Sequence, residues 1–178
     1  MTPSTERYFG KEAKGSWDRV LIVDPGLGGT GLAFWATLRR PSAKAIPPDD
    51  TNLITPKRHK DWLARVWMVE KAFAAYVRTW KPTLVIIEFQ KVWASNPVSV
   101  AAATGGDLFK LTLLTGVVAA AAHRSGAEVA LVLPGEWKGQ LSKPATRNRL
   151  KRAFGKKGAF ADHVEDAVGM GLSLQGRL

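Results

Sequence analysis

Residues 20–35 read VLIVDPGLGGTGLAFW, and this stretch predicts the hairpin from which the fold is built. The short apolar run Arg19–Val23 ends at Asp24, which a Pro-Gly pair follows, and this pattern is typical of a buried strand that leads into a turn. Gly31–Leu38 alternates loosely and predicts a second strand, which would form a hairpin with the first. We therefore expect a hairpin whose turn carries an acidic residue.

The same turn contains a formal dinucleotide-binding pattern, Gly26-x-Gly28-x-x-Gly31. In dinucleotide-binding proteins this pattern opens a helix. Here the residues that follow it read as a strand, and the acidic residue comes before the glycines. We therefore expect no nucleotide cofactor.

Helices and strands are predicted to alternate along the remaining chain. The predicted elements are a short third strand at Asn52–Ile54 within the loop 41–58, a helix from Lys60 to Trp80, a strand at Leu84–Ile87, a helix at Asp107–His123 with Asp107 as its N-cap, a strand at Glu128–Leu133 and a helix from Ala161 to Leu174. Residues 1–18 are polar and are predicted to be irregular. This order predicts one α/β domain over residues 1–178, with a mixed five-stranded sheet flanked by helices.

Composition and charge narrow the class of protein. The 178 residues are 46% hydrophobic and 23% charged, which is typical of a globular chain, and 26 Lys and Arg against 15 Asp and Glu give a net charge of +11. That excess indicates a polyanionic partner, either nucleic acid or an anionic membrane, and a charge that only keeps the chain soluble is the alternative. The longest mostly apolar stretch, Leu111–Ala122, is too short to span a bilayer, so no membrane association is expected. The absence of cysteine excludes disulfides and thiol chemistry and fits a cytoplasmic protein.

Two acidic residues stand directly after apolar strands. Asp24 follows Leu-Ile-Val, and Glu88 follows Leu-Val-Ile-Ile. Open α/β sheets place their sites at the carboxyl ends of strands. Because a buried acid is costly, acids in such positions are usually paired, hydrogen-bonded or bound to a metal. The alternative is that each acid only caps a turn.

The last predicted helix carries a third acidic group. Asp162, His163, Glu165 and Asp166 are close in sequence, and residues three or four apart share a helix face, so Asp166 lies beside both His163 and Asp162. Compensation of the helix dipole is the alternative explanation for acids in a first turn. Together with the two strand-end acids, this group supplies the oxygen ligands that Mg²⁺ or Mn²⁺ prefers, and one imidazole.

Four segments, in this order, resemble motifs of RuvC-type Holliday-junction resolvases. VLIVDPGLGGTGLAFW resembles the first hairpin of that family, KPTLVIIEFQ its strand ending in a catalytic Glu, FKLTLLTGVVAAAAHRSGAEVALVLPGEWKGQ its long helix, next strand and Lys-containing turn, and DHVEDAVGMGL its closing motif. The resemblance covers about residues 18–174 and implies a ribonuclease-H-like fold. The segment FQKVWASNPVSVAAATGG departs from the family pattern in length and composition.

The resemblance also implies a catalytic site. Its acidic tetrad is Asp24, Glu88, His163 and Asp166, with Asp162 as the alternative to His163. These residues would bind two Mg²⁺ ions, for which Mn²⁺ would substitute, to hydrolyse a phosphodiester. Lys138 matches the basic residue that follows the last strand in the family, and Lys143 matches a second one.

DNA binding is expected in the basic segment Lys138–Lys157, which has eight basic residues and no acidic one. The candidate DNA-binding residues are Lys138, Lys143, Arg147, Arg149, Lys151 and Arg152. Several of them fall at helical spacing and could follow one DNA backbone, although a solvated helix face is the alternative. Phe89 and Trp93 are the candidates for an aromatic contact with the junction, and ordinary packing is their alternative.

The function that the resemblance implies is resolution of four-way DNA junctions by paired symmetric nicks, the activity of a crossover junction endodeoxyribonuclease in a bacterial or phage-infected cell. Two nicks call for two sites, which a C₂ homodimer supplies. The helix Asp107–His123, where Gly116 permits close approach, is the candidate interface, although the core of the monomer would explain the same residues. The alternatives are a broader branched-DNA or flap nuclease, a ribonuclease H and a non-catalytic junction-binding module. A ribonuclease H would carry its catalytic Glu on a helix, whereas Glu88 is predicted to end a strand.

Overall fold

A mixed sheet forms the centre of the computed structural model, which describes residues 3–10, 13–56, 59–90, 97–155 and 160–178. The strands are β1 Gly15–Asp24, β2 Thr30–Arg40, β3 Asp50–Ile54, β4 Leu84–Glu88 and β5 Glu128–Val132. Their order in the sheet is β3-β2-β1-β4-β5. The β2 strand is antiparallel to β1 and β3, whereas β4 is parallel to both β1 and β5. The predicted mixed five-stranded sheet is confirmed.

Helices cover both faces of this sheet. They are α1 Pro3–Phe9, α2 Trp62–Trp80, α3 Pro97–Thr104, α4 Asp107–Arg124, α5 Pro134–Trp137, α6 Lys143–Phe154 and α7 Asp162–Leu174. One hydrophobic core lies between the sheet and the helices α2 and α4. The other core lies on the opposite face, where α1, α5, α6 and α7 contribute apolar side chains. The chain is therefore an α/β protein of three layers.

The central strands β1 and β4 are covered on both faces. Every residue of Val20–Val23 and of Leu84–Ile87 is buried. Alternate side chains of β1 enter the two cores, with Val20 and Ile22 on the α7 side and Leu21 on the α2 side. Burial on both faces explains why these strands read as continuous apolar runs in the sequence.

The prediction that residues 1–18 are irregular is wrong. The helix α1 lies there, and β1 already begins at Gly15. Tyr8 and Phe9 are buried in the core on the α7 side. The guanidinium of Arg40 donates to the carbonyl oxygens of Tyr8, Gly10 and Ala13, at 2.9–3.3 Å. These long-range contacts order the segment, and seven residues are too few to show a periodic pattern in the sequence.

Several predicted boundaries differ from the structure, and two of the differences have a clear cause. The strand β3 begins at Asp50, because pairing with β2 extends it beyond the predicted start at Asn52. The N-cap of α4 is Gly106, with a φ of 78°, and Asp107 is instead the first helical residue, where its carboxylate accepts from Lys110 at 2.8 Å. A left-handed conformation favours glycine, so the Gly-Gly pair determines where this helix starts.

The helix α4 is apolar, but only one side of it is buried. Leu114, Val118 and Ala122 pack into the core on the α2 side. Phe109, Thr112 and Gly116 face away from it and are exposed. Among the residues that the structure describes, no helix is both long enough and apolar enough to cross a membrane.

Candidate active site

Three carboxylates from distant parts of the chain meet at one edge of the sheet. Val23 of β1 pairs with Ile87 of the parallel strand β4, so the next residues, Asp24 and Glu88, leave the sheet at the same edge. Asp166 comes to this edge from the first turns of α7. Only 4% of Asp24, 4% of Glu88 and 8% of Asp166 is exposed. All three line a cleft of about 700 Å³.

Glycines of the β1–β2 turn allow α7 to reach this edge. A Cβ on Gly31 would lie 2.2 Å from the backbone carbonyl of His163, and one on Gly26 would lie 2.7 Å from its ring. The hydroxyl of Thr30 donates to the carbonyl oxygen of Gly26 at 3.1 Å and closes the turn. Gly26 and Gly31 of the pattern Gly26-x-Gly28-x-x-Gly31 therefore serve helix packing here, and the strand β2 follows the pattern as predicted.

His163 is held against Asp24. Its Nδ1 lies 2.7 Å from Asp24 Oδ2. This hydrogen bond raises the pKa of His163, while burial raises the pKa of Asp24, an effect that the imidazole partly offsets. Asp162 instead points toward Lys143, whose Nζ lies 2.7 Å from its Oδ1 and holds the pKa of Asp162 down. Of the two candidates for the fourth position, the structure brings His163 to the cleft.

Glu88 accepts two hydrogen bonds from neutral donors. Trp137 Nε1 donates to its Oε2 at 2.8 Å, and Gln90 Nε2 donates to its Oε1 at 2.6 Å. Burial, together with the neighbouring Asp24, raises the pKa of Glu88 to about 7. Lys138, which stacks over the Trp137 ring at 4.9 Å, works against this rise. Neutral donors fix the position of the carboxylate without neutralising its charge.

Two of the cations predicted to bind DNA are paired with acids of α7. Lys143 Nζ lies 3.3 Å from Asp166 Oδ2, in addition to its contact with Asp162. Arg147 Nε donates to Glu165 Oε2 at 2.7 Å, and Glu165 is fully buried. These ion pairs anchor α6 to α7, so Lys143 and Arg147 stabilise the helix that carries Asp166.

The remaining predicted DNA-binding residues lie in different places. Lys138 lines the cleft. Arg149, Lys151 and Arg152 are exposed on α6. Phe89 is half-buried directly after β4. Trp93 lies outside the described residues.

Sequence reasoning missed several residues that line or support the cleft. Arg65 of α2 and Lys110 of α4 line it, as does Gln90. The Arg65 Nε atom is buried and has no hydrogen-bond partner within the described part of the chain. No local pattern marks Arg65, which stands within an amphipathic helix, whereas Trp137 could have been suspected as the neighbour of Lys138.

The acidic residues suit a divalent cation by their chemistry. Three mostly buried carboxylates share the cleft, and Asp166 Oδ1 has no hydrogen-bond partner among the described residues. Burial raises the pKa of both Asp24 and Glu88, and neighbouring carboxylates add to the rise at each. Within residues 3–178, apart from the undescribed segments, no three such side chains are already arranged to hold a metal ion. His163 and Lys143 occupy the positions beside Asp24 and Asp166 instead.

Solved structures with this architecture include two from Thermus thermophilus and one from yeast. The T. thermophilus RuvC in complex with a Holliday junction substrate aligns with a TM-score of 0.65 and 19% identity, over 88% of this chain and 91% of that one. A second T. thermophilus RuvC structure gives 0.63 and 18%, over 87% and 92%. The yeast mitochondrial Holliday junction resolvase Ydc2 gives 0.56 and 13%, over 97% and 84%.

No protein-family model and no curated protein sequence matches the chain. The likeness to solved structures nevertheless covers most of each chain, with the same α/β architecture. At 13–19% sequence identity, this likeness shows a shared fold. The chain has the RuvC-like, ribonuclease-H-like fold that its four sequence motifs predict.

Proposed function

We propose that this protein is a structure-selective endonuclease that resolves four-way DNA junctions by hydrolysing phosphodiesters. The observation that carries the proposal is the convergence of Asp24, Glu88 and Asp166 in one cleft that also holds Arg65 and Lys138. Buried carboxylates beside unpaired cations suit a phosphodiester bound through metal ions. The net charge of +11 adds an attraction for DNA as a whole.

Asp24, Glu88 and Asp166 would hold the metal, with His163 completing a site or orienting water. Asp24 is the last residue of the central strand β1 and interacts electrostatically with both His163 and Asp166. It is therefore the best candidate to bridge two ions. When bound, two Mg²⁺ ions would activate a water and stabilise the leaving oxygen, and Mn²⁺ would substitute. Trp137 and Gln90 would keep Glu88 in place.

Cations at the mouth of the cleft would position the DNA. Arg65, Lys110 and Lys138 all line it. Because the Arg65 Nε has no partner among the described residues, a phosphate oxygen is the group that would satisfy it. Lys138 is held over the Trp137 ring and so stays close to Glu88.

We propose in addition that the active species is a homodimer, because paired symmetric nicks need two sites related by a two-fold axis. The exposed side of α4 is the candidate interface. Phe109 is 67% exposed on it, and its ring meets that of Trp62 edge-on at 6.4 Å. The next residues, Lys110 and Leu111, line the cleft, so this interface would bring two clefts near each other.

Strand cleavage on a denaturing gel tests the proposal. A synthetic four-way junction is compared with flap, linear-duplex and RNA–DNA hybrid substrates in Mg²⁺, in Mn²⁺ and in EDTA. We expect paired symmetric nicks confined to the junction, which require metal and are lost in Asp24→Asn while junction binding is retained. Arg78→Gln, on the outer side of α2, is the control for the effect of a surface substitution that removes one charge, and it should cleave as wild type does.

Other outcomes would point to the alternative functions. Cleavage of flaps or hybrids at similar rates would leave a metal-dependent nuclease of broader specificity. Tight junction binding without cleavage in either metal would favour an architectural module and overturn the proposed activity. A ribonuclease H is the less favoured alternative. It would carry its catalytic Glu on a helix, whereas Glu88 is the last residue of the strand β4.

A further inference from the structure

A second concave surface lies away from the active site and is purely basic. It has a volume of about 630 Å³, and its charged lining residues are Lys44, Arg149, Arg152 and Arg177. No carboxylate among the described residues forms an ion pair with any of them. We call these four residues the basic site. Cations gathered without counter-charge repel one another, and a bound polyanion relieves that repulsion.

Hydrogen bonds join the two chain segments that carry Lys44 and Arg177. Gln175 is fully buried just after α7. Its Oε1 accepts from Ile46 N at 2.6 Å, and its Nε2 donates to Ile46 O at 3.0 Å. Trp35 Nε1 donates to the same carbonyl at 3.0 Å. These bonds fasten the loop that carries Lys44 to the end of the chain that carries Arg177, so the basic site is built before a ligand arrives.

The helix α6 supplies the other two residues of the basic site, and they lie on a different face from Lys143 and Arg147. At 100° per residue, Arg149 and Arg152 lie roughly opposite Lys143 and Arg147. The latter pair is occupied by Asp162, Glu165 and Asp166. Arg149 and Arg152 are exposed and have no such partners among the described residues. The basic segment is therefore divided, with one face supporting the active site and the other free for a ligand.

We propose that the basic site binds the phosphate backbone of a DNA arm at a distance from the cleavage point, an inference that rests on the proposed function. The active site lies at the start of α7 and the basic site beyond its end. Asp166 to Leu174 spans about 12 Å along the helix axis. A duplex covers roughly 17 Å in half a turn, so an arm held in the cleft extends far enough to reach the basic site.

Salt-dependent binding tests this inference in the full chain carrying Asp24→Asn, which keeps the DNA uncut. The affinity for a four-way junction is measured at several salt concentrations, with and without Arg149→Gln/Arg152→Gln. Each neutralised phosphate contributes about 0.9 to the slope of log K against log salt, so the slope should fall by about 2. Lys71→Gln/Arg78→Gln, on α2 across the sheet, removes the same charge and should leave the slope nearly unchanged.

Uncharged arm phosphates and a free anion separate the possible ligands. When the phosphates beyond the third base pair of each arm are replaced by uncharged methylphosphonates, the Arg149→Gln/Arg152→Gln effect should disappear, because the DNA then carries no charge where it reaches the basic site. Equal slopes for the two double variants on unmodified arms would overturn the proposal. The proposal would also be overturned if inorganic phosphate raised the unfolding temperature only when Arg149 and Arg152 were present, while the salt slope for DNA binding did not change. If wild-type protein cuts no branched DNA but the slope falls as expected, the proposed nuclease function fails and the binding site stands.

Discussion

The fold disfavours the charged form of Glu88. Its pKa of about 7 stands well above the ordinary value of 4.5, because burial and Asp24 disfavour the carboxylate. Between pH 4.5 and 7 an unfolded chain has released this proton while the folded chain keeps it. Folding therefore becomes less favourable as the pH rises through that window, by on the order of 3 kcal/mol.

Glu88→Gln should remove this pH dependence. Urea unfolding in EDTA, from pH 4.5 to 7.5, is expected to show the free energy of unfolding of wild type falling relative to that of the variant. Adding Mg²⁺ at pH 7.5 should then stabilise wild type more than the variant, since a cation supplies the missing charge. Parallel pH curves for the two proteins would contradict the high pKa of Glu88.

Trp137 bears on the same carboxylate through its indole N–H. Trp137→Phe keeps an aromatic ring beside Gly169 and removes the 2.8 Å bond to Glu88. Loss of a group that orients a metal ligand typically costs about 10–100-fold in metal affinity. We expect a loss in that range in Mn²⁺ affinity, measured by titration calorimetry of the uncomplexed protein.

Trp35→Phe is the matched control for this experiment. It also removes a buried indole hydrogen bond, to Ile46 O at 3.0 Å, but on the far side of the core from the cleft. Its unfolding midpoint should fall while its Mn²⁺ affinity remains that of wild type. Equal losses of Mn²⁺ affinity in both variants would assign Trp137 to general packing.

At the scale of elements, the contact between α7 and the β1–β2 turn determines whether the site exists. Gly31→Ala would place a methyl group 2.2 Å from the His163 backbone. Because backbone cannot yield as a flexible side chain does, we expect a loss of about 1–3 kcal/mol in the free energy of unfolding. A shift of about 1 Å in His163 and Asp166 would also lower the cleavage rate about hundredfold.

Gly28→Ala provides the comparison within the same turn. A Cβ at Gly28 meets nothing within 4 Å. Its stability should remain within about 0.5 kcal/mol of wild type, with little change in cleavage. If Gly28→Ala proves as damaging as Gly31→Ala, then flexibility of the turn matters and the close approach of α7 does not.

The sequence predicts the elements whose local pattern agrees with their final environment. The strands β1 and β4 are buried on both faces, so their apolar runs and their terminal acids could be read directly. The helix α1 could not, because the core that buries its Tyr8 and Phe9 and the Arg40 guanidinium that binds the carbonyl oxygen of Tyr8 both come from remote parts of the chain. The same applies to the site, where Asp24 and Glu88 follow from strand ends but Arg65 and the ion pairs of Lys143 and Arg147 depend on how the helices pack.

At the scale of the whole molecule, the described residues of one chain present one cleft of this kind, whereas junction resolution needs two coordinated incisions. Phe109→Glu places a charge on the exposed side of α4, at the proposed interface. We expect wild type to sediment as a dimer at micromolar concentration and the variant as a monomer. Because buried like charges facing each other across a two-fold axis are unfavourable, the variant should not reassociate.

Cleavage of a supercoiled plasmid that carries a cruciform measures the effect of the same substitution on function. A dimer that cuts both strands within one binding event releases linear product, whereas a monomer leaves nicked circles. Wild type should therefore give linear DNA and Phe109→Glu nicked circles. Leu131→Glu, on the exposed edge strand β5, is the control and should behave as wild type. A monomeric wild type, or linear product from Phe109→Glu, would exclude α4 as the surface that couples the two incisions.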